Sequence, residues 1–303
     1  MFTFWEIVLQ QFINGLVLGS FYALVALGYS MVYGIIKLLN FAHGDIYMAG
    51  AFTCLSVYSL ISGYMPGWLG ISLAMLAAIL ASAILGYIAQ RVAYRPLLSA
   101  PRLSLLISAI GVSLVIYNAV MVMTNSKAMF FPGGINKSTG ISYGHVTITY
   151  MQISLLAAAF AAMAALTVFI SRTKLGKAMR AIAIDTDACY LMGINVNAVI
   201  SFTFMLGSGL AAVAGGMYCV YYGNVQYSMG YLVGIKAFTS SVIGGIGSIP
   251  GAMLGGLLLG LLEAFGTQML GSSWKDVFAF SLLILILAFK PNGLLGKPEV
   301  ARM

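Results

Sequence analysis

Few side chains in this sequence are equipped for chemistry, and those few fall into small groups. Lys236 and Glu263 are ionisable residues inside long apolar segments, where an unpaired charge costs about 2.5 to 3.5 kcal/mol at the centre of a membrane helix. Their opposite signs allow them to be partners across the glycine-rich segment between them, either as a structural pair or as part of a solute path. Asn40, His43 and Asp45 cluster in LNFAHGD, Leu39 to Asp45. That spacing suits metal or proton chemistry, or a polar turn with Asp45 near the start of the next helix. No His-x-x-x-His, no carboxylate pair within a span and no third ligand accompanies them, so neither a metal nor a cofactor is expected. Gly293 to Lys297, GLLGK, has the wrong spacing for a phosphate-binding loop and is followed by Pro298. The chain therefore reads as no enzyme, and any ATP hydrolysis must occur elsewhere.

These groups sit in a chain of 303 residues, 61% apolar (AVILMFWYC) and 7% charged, against roughly 25% charged in an average soluble domain. So few charges cannot cover a water-soluble fold of this length, and lipid must be the solvent for most of it. A soluble enzyme, a disulfide-rich secreted domain and a disordered chain are excluded. Fifteen Lys and Arg against seven Asp and Glu give a net charge of +8, too sparse for a nucleic-acid surface. In membrane proteins such charges collect on the cytoplasmic side and report topology. Cys54, Cys189 and Cys219 are far apart and read as small core residues. Met1 to Glu6 has no basic residue, so this end reads as part of the integral protein and not as a cleaved signal peptide.

Crossing about 30 Å of hydrocarbon takes about 20 apolar helical residues. Six stretches meet that length: Ile7 to Ile36, Phe41 to Ile61, Ile71 to Gln90, Leu103 to Met123, Met151 to Ile170 and Ala198 to Tyr222. The first requires tilt or a break at one of its glycines. Three weaker segments follow, Tyr231 to Ile246 with Lys236, Ala252 to Leu270 with Glu263, and Ser272 to Phe289. The sequence predicts an all-α, polytopic integral membrane protein of about eight to nine hydrophobic helical segments, forming one transmembrane domain over residues 1–303. Tyr231 to Ile246 reads either as a crossing or as a re-entrant half-helix. Ten of the fifteen basic residues lie in three clusters: Arg91, Arg95 and Arg102; Arg172, Lys174, Lys177 and Arg180; and Lys290, Lys297 and Arg302. Two spans separate the first from the second and four the second from the third, so all three fall on one side. Their sign makes that side cytoplasmic, with Lys37 and the C-terminus inside and the N-terminus outside.

Glycine is abundant, 35 residues in all, and Gly15/Gly19, Gly230/Gly234, Gly251/Gly255 and Gly256/Gly260 have the four-residue spacing that lets helix backbones approach closely in lipid. GGIGSIPG, with Gly244, Gly245, Gly247, Pro250 and Gly251, cannot continue a straight helix. It predicts a tight turn, either beside a transport route or joining two helices at the inner face. The longest inside loop, about 172–198, carries apolar residues at Ala178, Ile182, Ile184, Ala188, Leu191 and Met192 that suit short amphipathic helices separated near Asp185 to Asp187, with Gly193 and Asn195 as a stop. Such a loop fits a docking surface or an interfacial helix on lipid headgroups.

Four blocks now stand in order: GSFYALVALGYSMVYGIIKLLNFAHGDIYMAGAF (Gly19 to Phe52), RVAYRPLLSAPRLSLLISAIGVSL (Arg91 to Leu114), GKAMRAIAIDTDACYLMGIN (Gly176 to Asn195) and GGIGSIPGAMLGGLLLGLLEA (Gly244 to Ala264). Together they resemble the membrane permeases of bacterial high-affinity branched-chain amino acid ABC transporters, of the LivH type, over nearly the whole chain. The resemblance implies an ABC importer permease bundle in the bacterial inner membrane, paired with a homologous permease, two cytoplasmic ABC ATPase subunits and a periplasmic binding protein for leucine, isoleucine or valine. It implies that Ala183 to Asn195 sits in a cleft of the ATPase. There Ala183, Ala188 and Gly193 would keep the contact close, Asp185 and Asp187 would orient it, and Asn195 would close the segment. The external loop at about 124–150, with Lys127 and Lys137, is then a candidate surface for the binding protein, or a lid.

Transport by alternating access needs a permissive path, for which the polar span residues Asn14, Asn40, Ser108, Asn118, Thr239 and Ser240 are candidates, although such groups also bond neighbouring helices. Two other functions are compatible with the residues: a related permease for urea or short amides, and a self-sufficient ion-coupled carrier. The scarcity of ionisable groups in the spans argues against the carrier.

Overall fold

The computed structural model describes residues 3–37, 39–98, 100–132 and 139–296. Met1, Lys137, Lys297, Pro298 and Arg302 lie outside the described residues, as does the Arg102 side chain. Eleven α-helices are described: α1 (Phe4–Ile36), α2 (His43–Ile61), α3 (Gly67–Ala89), α4 (Arg102–Met123), α5 (Tyr150–Arg172), α6 (Lys174–Ile184), α7 (Thr186–Leu191), α8 (Val196–Tyr222), α9 (Met229–Gly244), α10 (Ile249–Leu270) and α11 (Lys275–Phe289). Short strands β1 (Met129–Phe130), β2 (Gly140–Tyr143), β3 (Val146–Thr149) and β4 (Asn224–Val225) form two small antiparallel pairs, β1 with β4 and β2 with β3. The helical, polytopic class expected from composition is the class observed.

Among the described residues, eight helical stretches are long and apolar enough to cross a membrane. The ninth hydrophobic segment is α9, whose 16 residues span about 24 Å at 1.5 Å per residue. It falls short of a full bilayer core of about 30 Å. It nevertheless runs from β4, which pairs with β1 of the 124–150 loop, to the turn beside Gly34 at the far end of α1. The chain therefore enters and leaves α9 at opposite ends of the bundle, and the parity of nine segments is kept.

The first segment meets its excess length without a break. α1 is continuous for 33 residues through Gly15, Gly19, Gly28 and Gly34. Most of it is buried, which makes it the axis of the bundle, and α10 packs along it in the opposite direction. Close approach explains the glycines there: a β-carbon on Gly19 would lie 2.7 Å from the Leu257 Cα, and one on Gly256 would lie 2.5 Å from the Ala23 Cα. Only glycine allows backbones this near. Around the α1–α10 pair sit α2, α8 and α9, while α3, α4, α5 and α11 present mostly exposed apolar faces. All three cysteines are buried, in keeping with their reading as core residues.

Among the described residues, Lys37, Arg91, Arg95, Arg180 and Lys290 gather at one end. Ser201, near the start of α8, donates to Gln90 Oε1 at 2.8 Å, tying the Arg91 and Arg95 end of α3 to the end from which α8 starts. Arg180 donates to the carbonyl of Ile170, folding α6 back against α5. Lys37, Arg180, Gly247 and Leu295 line one depression there. At the opposite end, the β2–β3 hairpin is pinned to α1: Thr147 N–H donates to Gln10 Oε1 at 3.0 Å, and Gln10 returns a bond to the Thr147 carbonyl at 3.3 Å.

Candidate functional site

Lys236 and Glu263 are partners. The glycine turn makes α9 and α10 antiparallel neighbours, which brings Lys236 Nζ to 2.8 Å from Glu263 Oε1, with Glu263 wholly buried. Two further charges complete the group. Asp276, in the first turn of α11, lies 2.7 Å from the same Nζ, and Lys275 lies 3.5 Å from Glu263 Oε2. From α1, the Tyr22 hydroxyl donates to Glu263 Oε2 at 2.9 Å. Two cations and two anions thus make a cluster of zero net charge, which is the arrangement that lets ionised groups persist out of water. Sequence reasoning missed Lys275, Asp276 and Tyr22, because a polar segment start reads as interfacial. Adjacent opposite charges in an otherwise charge-poor stretch were the available signal.

LNFAHGD does more than turn the chain. The His43 ring packs against Gly28, where a β-carbon would lie 2.7 Å from His43 Cε1. Gly28 is nine residues before Lys37, or about 13 Å along α1. Residues 39–42 therefore lie back within the bundle, and α2 begins inside it. Asp45 lies in the first turn of α2 without capping it; its carboxylate accepts from Ser113 of α4. His43 stacks edge-on against Tyr29, with ring centroids 4.7 Å apart. Gly44 meets Gly234 so closely that a β-carbon would lie 2.7 Å from the Gly234 Cα. The early turns of α2 and α9 thus meet within the bundle.

At the turn, α9 stops at Gly244, and Gly245 and Gly247 take φ of +105° and +89°, values that side chains with a β-carbon rarely adopt. Ser248 caps α10 by accepting from Gly251 N–H at 3.2 Å, and Pro250 occupies the first turn, where no amide donor is needed. The Leu294 and Leu295 amides donate to the carbonyls of Ile243 and Gly244, each at 2.9 Å. The turn lies at the basic end of the bundle and is stapled there by the segment following α11.

The polar span residues are spread along the molecule. Asn14 accepts from Gln10 at 3.2 Å near the hairpin end of α1, and Asn118 is exposed, donating to its own helix at Leu114. Asn40 accepts from Tyr94 at 2.7 Å, and Ser108 donates to the Ala93 carbonyl at 3.0 Å, so these two flank one π-helical turn after α3. Thr239 and Ser240 are buried on α9; Ser240 donates to the Lys236 carbonyl, while the Thr239 hydroxyl has no partner among the described residues. The six do not form one site.

The 172–198 loop folds as two short helices, α6 and α7. Asp185 caps α7 by accepting from Ala188 N–H at 2.9 Å, and Asn195 caps α8 by accepting from Ala198 N–H at 3.1 Å. Gly193 takes φ +76°, with open space where a side chain would point. Met179, Ile182 and Cys189 face the core, Ala183 is half-buried, and Asp187 and Ala188 are exposed. The division into two short helices at Asp185 is as expected, but Ile184, Leu191 and Met192 point outward, the last two 89% and 82% exposed. The loop is thus ordered, with an exposed apolar tip.

A ring of mostly membrane-length helices around α1 and α10, with this charge-poor interior, places the protein among helical polytopic membrane proteins. In fold it is similar to a metal-chelate type ABC transporter solved in an inward-facing conformation, with a TM-score of 0.51 at 13% identity, covering 93% of this chain and 87% of that one. The model of the family described as branched-chain amino acid transport system / permease component matches residues 11–287, and the chain belongs to that family. It is 50% identical to the high-affinity branched-chain amino acid transport system permease protein BraD of Pseudomonas aeruginosa, over 97% of this chain and 98% of that protein. It is 43% identical to the permease protein LivH of the corresponding Escherichia coli system, over 97% of each.

Proposed function

We propose that this chain is the permease subunit of an ATP-driven importer that carries leucine, isoleucine and valine across a bacterial inner membrane, by alternating access and without covalent chemistry of its own. The observation carrying this reading is the full-length similarity to permeases named for branched-chain amino acid transport. In this reading the basic end of the bundle is cytoplasmic. The α6–α7 loop, with Leu191 and Met192 at its tip, meets one of two ATPase subunits, and Asp185 and Asn195 hold it rigid enough to transmit their closure. A second, homologous permease covers part of the exposed apolar helix surface, and the 124–150 loop meets a periplasmic amino-acid-binding protein.

The test is reconstitution in proteoliposomes of this chain with its partner permease and ATPases, using labelled leucine and a purified binding protein. Uptake should require ATP and the binding protein together. Uptake by this chain alone, driven by an ion gradient, would sink the proposal.

A further inference from the structure

A cavity of about 390 Å³ lies beside the Lys236 cluster, lined by residues of α1, α2, α8 and α9 and the start of α11. That volume is in the range of small-molecule sites, about 300 to 1,000 Å³. Lys236, Lys275 and Asp276 supply charge of both signs to its lining, and Phe21, Leu232 and Val233 supply apolar surface. Tyr47 of α2 also lines it. That residue is wholly buried, yet its hydroxyl has no hydrogen-bond partner among the described residues, a state that is costly unless something in the cavity completes it. The Lys236 ammonium carries three donors, of which two face Glu263 and Asp276.

We propose, resting on the import reading above, that this cavity is where the permease itself holds a zwitterionic aliphatic amino acid during passage. The ligand carboxylate lies against the Lys236 and Lys275 ammonium groups and accepts from the Tyr47 hydroxyl. Its ammonium faces Asp276, which is half exposed and free to adjust, and its aliphatic chain lies among Phe21, Leu232 and Val233. A cluster of zero net charge suits a ligand of zero net charge. An acidic or basic side chain would leave one charge unmatched in a site that has no spare counterion, which is a physical basis for rejecting it. A purely structural cluster needs no cavity beside it and no hydroxyl on Tyr47, since phenylalanine would fill the same space without an orphaned group.

The test is direct binding of labelled leucine to the assembled permease–ATPase complex in nanodiscs, with no binding protein present. Wild type should bind leucine saturably. Tyr47→Phe and Asp276→Asn should each weaken binding by about tenfold or more, the range of one charge-assisted hydrogen bond, while Tyr47→Phe leaves the melting temperature undiminished. Neither 4-methylpentanoate nor 3-methylbutylamine, which each lack one charged group, should displace leucine. The site is refuted if both variants bind leucine as wild type does, or if a complex that imports leucine with its binding protein shows no saturable binding without it, as a cavity holding only water would give. A complex that imports no branched-chain amino acid at all refutes the import reading, and this one with it.

Discussion

Replacing Lys236 with methionine should destabilise the protein more than replacing its partner does. Lys236→Met keeps the volume of the side chain but leaves Glu263, which is wholly buried, without its closest cation. Stranding one partner of a buried pair costs about 3 to 5 kcal/mol. Glu263 keeps the Tyr22 hydroxyl at 2.9 Å and Lys275 at 3.5 Å, so the lower end applies, about 3 kcal/mol, or about 150-fold in the unfolding equilibrium. In the converse variant, Glu263→Met, Lys236 retains Asp276 at 2.7 Å, a half-exposed carboxylate that can follow it, and the expected loss is under about 2 kcal/mol. With Glu263 already gone, removing Lys236 strands no buried carboxylate. The double variant Lys236→Met/Glu263→Met should therefore resemble Glu263→Met alone, not the sum of the two. Reversible unfolding in mixed micelles, followed by tryptophan fluorescence, measures all three. A Lys236→Met loss below about 1 kcal/mol, or additive losses in the double variant, would refute the assignment of this pair as a coupled buried unit.

Gly256→Val places branched carbon within 2.5 Å of the Ala23 Cα, so α1 and α10 must separate; the expected outcome is loss of folded protein on detergent size-exclusion chromatography, with Gly63→Val, which meets open space, as the unaffected control. Leu191→Asp/Met192→Asp alters side chains that are almost fully exposed, so thermal stability should hold while co-purification of the ATPase subunits falls at least tenfold, a difference of about 1.4 kcal/mol or more; unchanged co-purification removes this tip from the interface. Single cysteines at Lys290 and Arg172 should react with an impermeant thiol reagent from the same side of sealed vesicles, and one at Ser126 from the other side. Labelling of Lys290→Cys and Ser126→Cys from one side would rule out nine crossings.

The spans were legible because hydrocarbon thickness fixes helix length, and the Lys236–Glu263 pair was legible because a lone charge in an apolar segment requires a partner. Other features turned on relations that a linear reading cannot weigh. Leu191 and Met192 have helical spacing that suits a buried face, but α7 is only six residues long, too short to bury both sides of its turn. Their exposure follows from length, not from pattern. Asp276 was hidden by lying at a segment start, where depth is undetermined until α11 packs beside α9.

The retreat of residues 39–42 into the bundle is the hardest feature to see, since LNFAHGD is polar and polar turns belong at interfaces. A clue lies in residues far from it in sequence. Gly28 leaves room for the His43 ring and Gly234 leaves room for Gly44, so α2 can start between α1, α8 and α9 only because three glycines remove side chains at the points of contact. Glycine spacing along one helix indicates that some backbone comes close; which backbone it is depends on glycines in other helices at the same depth. A polar turn is thus tolerated within lipid depth by the same device that packs α1 on α10, and the Asp45 carboxylate then finds its donor on α4 instead of in water.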